Sequence, residues 1–412
     1  MKKKLSTNIF ISKAEDRQSL MNAFYQKKYP YYFEELSELN VLIISPKTIL
    51  SFINEELIHD NQAIVNRTGQ PLNTMSSGER KRAFFEYTLS LQPDVVILDH
   101  FLDNIDLTAR TEYIQLLKDK YLDVSIINIY SRTDDRLEFI PSDIMDVSGN
   151  FQLNEQVLIP ESKQFSVDNK VPIPLPPAND KPYVGTLVEF KEVSTSYLGK
   201  PILNRINWTI NSGDFWHLHG PNGSGKTTLL TMITGDNPKA YGQNISLFGK
   251  KKGSGESIWE IKQKVGYFTS NMTFQFWRLQ NIRDMITSGF YDSIGLYTTP
   301  GDHQVLLANQ WLNYIGLSSF ADVPFVKLSL CHQRMVMIAR AMVKHPPLLI
   351  LDEPSVDLDE ASAQLMTSLI NKISKESTTT LIYVSHRIEA GLFPTHQYEL
   401  IPSEDGSTGL AS

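Results

Sequence analysis

A single cysteine, Cys331, in 412 residues excludes an internal disulfide and fits a chain kept in a reducing compartment. No uninterrupted apolar run reaches the roughly 18 residues that a membrane-crossing helix needs, so none is expected. Met1-Lys-Lys-Lys4 has the charge of a secretion signal, but Asn8, Ser12 and Lys13 break up the apolar stretch that should follow. The excess of one sign of charge is also small, 46 acidic against 39 basic residues. The net charge of −7 argues against a broad nucleic-acid surface, and no stable nucleic-acid binding is expected. The one basic run, Lys250-Lys-Lys252, reads as a solvated turn, with contact to an anionic partner as the alternative. What remains is an ordinary globular composition, 41% hydrophobic and 21% charged, long enough for two or three domains. A cytoplasmic protein is expected.

The chain does carry Gly220-Pro-Asn-Gly-Ser-Gly-Lys-Thr-Thr228, which satisfies G-x-x-x-x-G-K-[ST]. Asp214 to His219 reads as a buried strand leading into it, and Thr228 to Ile233 as the opening of a helix. Gly220, Pro221, Asn222, Gly223, Ser224, Gly225, Lys226, Thr227 and Thr228 would then form a phosphate-binding loop. Its glycines let backbone N–H groups close on phosphates at a helix N-terminus. Lys226 would reach the β- and γ-phosphates, and the Thr227 hydroxyl would hold Mg²⁺. The alternative is a glycine-rich strand-to-helix turn that holds no phosphate.

Downstream, the apolar run Leu348-Leu-Ile-Leu351 ends in two carboxylates, Asp352 and Glu353. Asp352 would hold Mg²⁺, and Glu353 would orient and deprotonate the attacking water. After another apolar run, Thr380 to Val384, come Ser385 and His386, a histidine able to sense a γ-phosphate. Any one of these could instead be a helix cap, but their order behind the loop points to nucleotide hydrolysis.

With these motifs, residues from about 183 to 395 resemble the nucleotide-binding domain of an ATP-binding cassette protein. The resemblance assigns Asp352 and Glu353 as the Walker B pair, Ser355-Val-Asp-Leu-Asp359 as the D-loop and His386 as the switch histidine. It places Tyr197 as the aromatic that stacks on adenine; the alternative is a half-buried strand tyrosine. ATP and Mg²⁺ are the implied cofactors. Two positions depart from the family pattern. Ser270 stands where the family has a glutamine after the strand Val265 to Phe268, and the signature reads Leu328-Ser-Leu-Cys-His332. Leu330 and Cys331 would put side chains where that motif's backbone must approach a phosphate.

The N-terminal third resembles a second, degenerate and shortened cassette. Met75-Ser-Ser-Gly-Glu79 is a good signature, giving Ser76, Ser77 and Gly78 as residues offered to a partner's nucleotide. Val95 to Asp99 is a Walker B strand with His100 in place of the catalytic glutamate, and Arg132 replaces the switch histidine. The stretch Ser12-Lys-Ala-Glu-Asp-Arg-Gln-Ser-Leu20 occupies the phosphate-loop position without a glycine, and Gln18 replaces its lysine. Cassette domains pair head to tail, so this sorting of losses implies one competent composite site and one dead one.

The expected fold is therefore α/β, two tandem P-loop NTPase domains of the cassette type. Residues 1–160 form the degenerate domain, 161–182 a Pro-rich extended linker, and 183–412 the domain with intact Walker motifs. Leu247 to Trp259 and Ser288 to Tyr297 are similar to the tandem-domain ATP-binding proteins named for molybdate transport, also called photorepair proteins. That resemblance implies an ATPase energising membrane-embedded transporter subunits, peripheral to the cytoplasmic face. The two cassettes would associate with each other, with a homodimer also open. A soluble ATPase acting on a macromolecular assembly is the alternative, and a catalytically silent ATP sensor a third.

Overall fold

Short apolar runs bounded by turn residues become buried strands, and the longer stretches between them become helices. In the computed structural model the chain divides into two units, residues 1–164 with 357–361 and residues 165–356 with 362–412. The structure describes residues 5–11, 14–59, 64–65, 71–72, 75, 77–102, 105, 107–120, 123–147, 150–154, 171–176, 182–197, 199–275, 280–293, 295–386 and 389–412.

In the first unit, six strands form one sheet: β1 (Thr7–Phe10), β2 (Val41–Ile44), β3 (Val95–Asp99), β4 (Ser125–Tyr130), β5 (Asp143–Val147) and β6 (Asn150–Asn154). Their order is β2-β3-β4-β1-β5-β6, parallel except for the last hairpin. Helices α1 (Ala14–Tyr25), α2 (Pro46–His59), α3 (Ser77–Ser90) and α4 (Leu107–Lys120) connect them. Side chains alternate across a strand, so Val95 and Ile97 enter one core cluster while Val96 and Leu98 enter another. A strand buried on both faces must be apolar at every position, which is why β3 reads as a continuous hydrophobic run.

The second unit has two sheets, built from β7 (Thr186–Tyr197), β8 (Lys200–Asn211), β9 (Phe215–His219), β10 (Ile245–Leu247) and β11 (Lys250–Lys251), followed by β12 (Val265–Thr269), β13 (Leu348–Asp352), β14 (Thr380–Val384), β15 (His396–Ile401) and β16 (Thr408–Ala411). The larger has order β12-β13-β14-β9-β15-β16 and the smaller, antiparallel one β11-β10-β7-β8. Strand for strand, the larger sheet repeats the topology of the first unit, including the closing antiparallel hairpin. The helices are α5 (Lys226–Thr234), α6 (Ile258–Lys264), α7 (Ile282–Thr287), α8 (Asp302–Tyr314), α9 (Leu330–Met342) and α10 (Glu360–Glu376). Trp208 of the small sheet stacks on Tyr398 of the large one, ring centroids 4.5 Å apart, which joins the two sheets through the core.

Two sequence expectations change. The stretch 171–176 is extended, as its prolines demand, but it is also tied to the second unit. Lys372 donates to the Val171 carbonyl (2.6 Å), the Ile173 amide donates to Glu376 (3.0 Å), and Ile173 is buried. Nor is the whole basic run solvated: Lys250 and Lys251 are exposed on β11, but Lys252 is buried in an ion pair with Glu256 (3.4 Å). Glu256 also caps the amides of Gly253 (2.7 Å) and Ser254 (3.0 Å), so this segment is a folded turn and not a loose cationic loop. The segment from Ser288 is likewise structural. Arg340 donates to Ser288 Oγ (3.0 Å) and the Ser293 carbonyl (2.8 Å), and Lys344 pairs with Asp292 (2.5 Å).

Candidate active site

β9 sits in mid-sheet between β14 and β15, so the loop after it emerges at the carboxyl edge of the parallel strands. Gly220 and Gly225 have φ of 148° and 95°, which glycine alone adopts cheaply. They are also sterically required. A Cβ on Gly220 would lie 2.7 Å from the Leu400 carbonyl oxygen, and one on Gly225 2.7 Å from Leu203 Cδ2. Gly225 caps α5, whose first residue is Lys226. The Lys226 ammonium donates back to the carbonyls of Gly220 (2.7 Å) and Pro221 (3.0 Å), across the mouth of the loop.

β13 is paired with β14 in register, Asp352 opposite Val384. One residue further, Glu353 takes φ of 52° while its amide still bonds the Val384 carbonyl (2.9 Å). A left-handed non-glycine residue costs about 1–2 kcal/mol, and this turn re-aims the glutamate toward the loop. His386, just past β14, pairs through Nε2 with Glu353, and its Nδ1 lies 3.4 Å from Lys226 Nζ. Lys226, Glu353 and His386 thus converge, from residues far apart in the chain. Ser270 directly follows Thr269, the β12 residue in register with Asp352.

The electrostatics divide the two carboxyls. Burial, reinforced by the neighbouring Glu353 charge, pushes Asp352 up to about 6. Burial also raises Glu353, but the His386 hydrogen bond and charge, with Lys226 and Arg334 behind them, outweigh it and hold Glu353 below its usual value. Glu353 therefore stays ionised at neutral pH.

The residues fit a nucleotide and a divalent cation. Two glycines make a cradle that a side chain would fill, and the Ser224 hydroxyl is buried inside the loop with no hydrogen-bond partner among the described residues. Thr227 is exposed on the first turn of α5, and Thr228 follows it. Pro221, Asn222 and Gly223 complete the turn. Tyr197 ends β7 and is 39% exposed, so both the adenine-platform reading and that of a half-buried strand tyrosine stay open.

In the first unit, Ser76 lies outside the described residues; Ser77 and Gly78 begin α3, where only the backbone is described. In the second unit's own signature, Ser329 caps α9 and Cys331 is buried, so the thiol does not project where a phosphate would approach. Sequence reasoning missed Arg334. Fully buried on α9, it donates to the carbonyls of Pro354 (3.0 Å) and Val356 and so clamps the turn that carries Glu353. An arginine at a core-facing helix position was the available signal. Also missed was Asn237, whose Asn-Pro dipeptide marks a capped turn.

Comparison with known proteins places the chain among ATP-binding cassette proteins. The family model described as ABC transporter matches residues 203–356. The chain is 34% identical over 347 residues to the ABC transporter ATP-binding protein ModF of Escherichia coli (strain K12), covering 80% of this chain and 70% of that protein. It is 31% identical to the uncharacterized ABC transporter ATP-binding protein YlmA of Bacillus subtilis (strain 168), over 49% of this chain and 77% of that one. The zinc uptake system ATP-binding protein ZurA of Listeria innocua is 30% identical, over 50% and 78%.

Proposed function

The chain belongs to the ATP-binding cassette family of ATPases, and from that premise we propose that it hydrolyses ATP at one composite site and dead-ends the other. The second unit supplies the phosphate loop, Asp352, Glu353 and His386; the first supplies the signature Ser76, Ser77 and Gly78. The observation that carries the reading is the convergence of Lys226, Glu353 and His386 in the second unit.

Lys226 would exchange the Gly220 and Pro221 carbonyls for phosphate oxygens, keeping its hydrogen bonds while gaining charge complementarity. Glu353 would take the proton of the attacking water onto its carboxylate, and His386 would hold that carboxylate in place and orient the γ-phosphate. Mg²⁺, held by Thr227 and Asp352, would neutralise charge on the phosphate oxygens.

The work done by this cycle is proposed to be the energising of membrane-embedded transporter subunits, with a small anion such as molybdate as the cargo class. No described helix is long and apolar enough to cross a membrane. Pairing of the two cassettes, within one chain or between two copies, completes the proposal.

Two measurements test it. Replacing Ser77 with tryptophan should abolish turnover despite its distance in sequence from the Walker motifs; normal turnover would sink the composite site. Tagged Glu353→Gln protein, trapped with ATP and captured from detergent-solubilised cells, should bring down a multi-span membrane protein. Capture should fail when Lys226→Ala is added. Recovery of a soluble assembly instead would favour the alternative of a non-transport ATPase.

A further inference from the structure

We infer that Asn237 is a positioning residue for the nucleotide base: it fixes the Tyr197 ring and ties it to the helix that carries the phosphate loop. The inference rests on the proposed role of Tyr197 as the adenine platform. The Tyr197 hydroxyl donates to Asn237 Oδ1 (3.0 Å) and lies 2.8 Å from Asn237 Nδ2. That Nδ2 also donates to Thr231 Oγ1 (3.1 Å), and Thr231 Oγ1 in turn donates to the Thr227 carbonyl (2.8 Å) on the first turn of α5. Two side chains, Asn237 and Thr231, thus connect the ring to the backbone of Thr227, the residue proposed to hold Mg²⁺.

Asn237 itself is rigid. It is only 5% exposed, its amide N–H bonds the Thr231 carbonyl (3.1 Å), and its Oδ1 caps the Lys239 amide (3.0 Å). Lys239 Nζ lies over the same tyrosine ring, 5.9 Å from its centroid, at the outer limit of a cation–π contact. A stacking platform works only if its ring is held before the base arrives, because an unrestrained tyrosine loses rotamer freedom on binding. The buried amide supplies that restraint to an otherwise exposed side chain at the end of a strand. Asparagine suits the task, since one planar group both accepts from the phenol and donates onward to Thr231.

The test separates base from phosphate recognition. ATP affinity is measured directly, with inorganic tripolyphosphate as a competitor that has no base. Asn237→Leu should weaken ATP about 3- to 10-fold, the loss of a modest hydrogen bond, and leave tripolyphosphate affinity unchanged. Tyr197→Phe keeps the exposed ring and removes only its hydroxyl, so it tests the same bond without threatening the fold. It should weaken ATP in the same direction, and the double variant should be no weaker than Asn237→Leu alone. Equal weakening of tripolyphosphate, or unchanged ATP binding in both single variants, overturns the inference. Tyr197→Ala distinguishes the premise: if it leaves ATP affinity intact, the adenine platform itself is wrong. If it weakens ATP while Asn237→Leu and Tyr197→Phe do not, only the positioning role fails.

Discussion

The two units share one sheet plan and differ at its carboxyl edge. In each, the strand before the switch position ends against the central strand: Tyr130 faces Phe10, and Val384 faces Leu218. Helix α5 begins at Lys226, but α1 begins at Ala14, one turn earlier relative to its strand. Without glycines to hold the loop open, the chain winds that turn into helix. Arg17, on that helix, then forks onto Asp99 (2.8 and 3.2 Å). The backbone beyond Asp99 is unchanged. His100 keeps φ of 50° and bonds the Ile129 carbonyl (3.0 Å), just as Glu353 does with Val384. The first unit has kept the shape of a Walker B turn and satisfied its acid with an internal cation.

That contrast can be pressed at several points. The largest effect is expected at Glu353. Glu353→Gln should lower turnover by about 10²–10⁴-fold while ATP remains bound, whereas His100→Gln should leave turnover near wild type; steady-state ATPase assays check both. Next comes the internal cation. Arg17→Met leaves Asp99 buried without its fork, and should destabilise the first unit by about 2–4 kcal/mol in denaturant titrations. The second unit's ATP affinity should not change.

Asp352 should behave in the opposite sense. Its folded pKa, about 6, lies above the unfolded value of 3.8. Ionisation is therefore penalised in the fold: the cost is absent below about pH 4, grows between the two values and is complete above about pH 6. Asp352→Asn should remove turnover yet raise the melting temperature at pH 7.5, corresponding to on the order of 1–3 kcal/mol. That gain should vanish as the pH is lowered toward 4. The smallest effect is expected at Leu330. Leu330→Ala should alter turnover less than twofold, because the second unit's outgoing signature is already divergent; a large loss would show that this signature still works.

Legibility from sequence followed locality. The phosphate loop, β13 with its two carboxylates, and the strand before Ser385 were readable because each is a contiguous motif whose backbone chemistry is local. The degenerate repeat was readable from the order of its motifs. The Arg17–Asp99 pair was not, because nothing local tells an arginine 82 residues away that a buried carboxylate needs it. Lys252 was misread for the same reason. Three consecutive lysines suggest a solvated turn until the fold brings Glu256 and the Tyr241 ring against one of them.

The sequence by itself determined the family, the class of chemistry and which unit carries the Walker residues, since a glycine pattern and a Lys-Thr pair constrain backbone and charge wherever they fold. Only the tertiary structure decided how those residues meet. The Glu353–His386–Lys226 cluster, the Tyr197–Asn237–Thr231 relay and the strapping of residues 171–176 onto Lys372 and Glu376 all join groups distant in sequence. Such contacts depend on strand order and register, which are set by burying both faces of a sheet at once and not by any single segment.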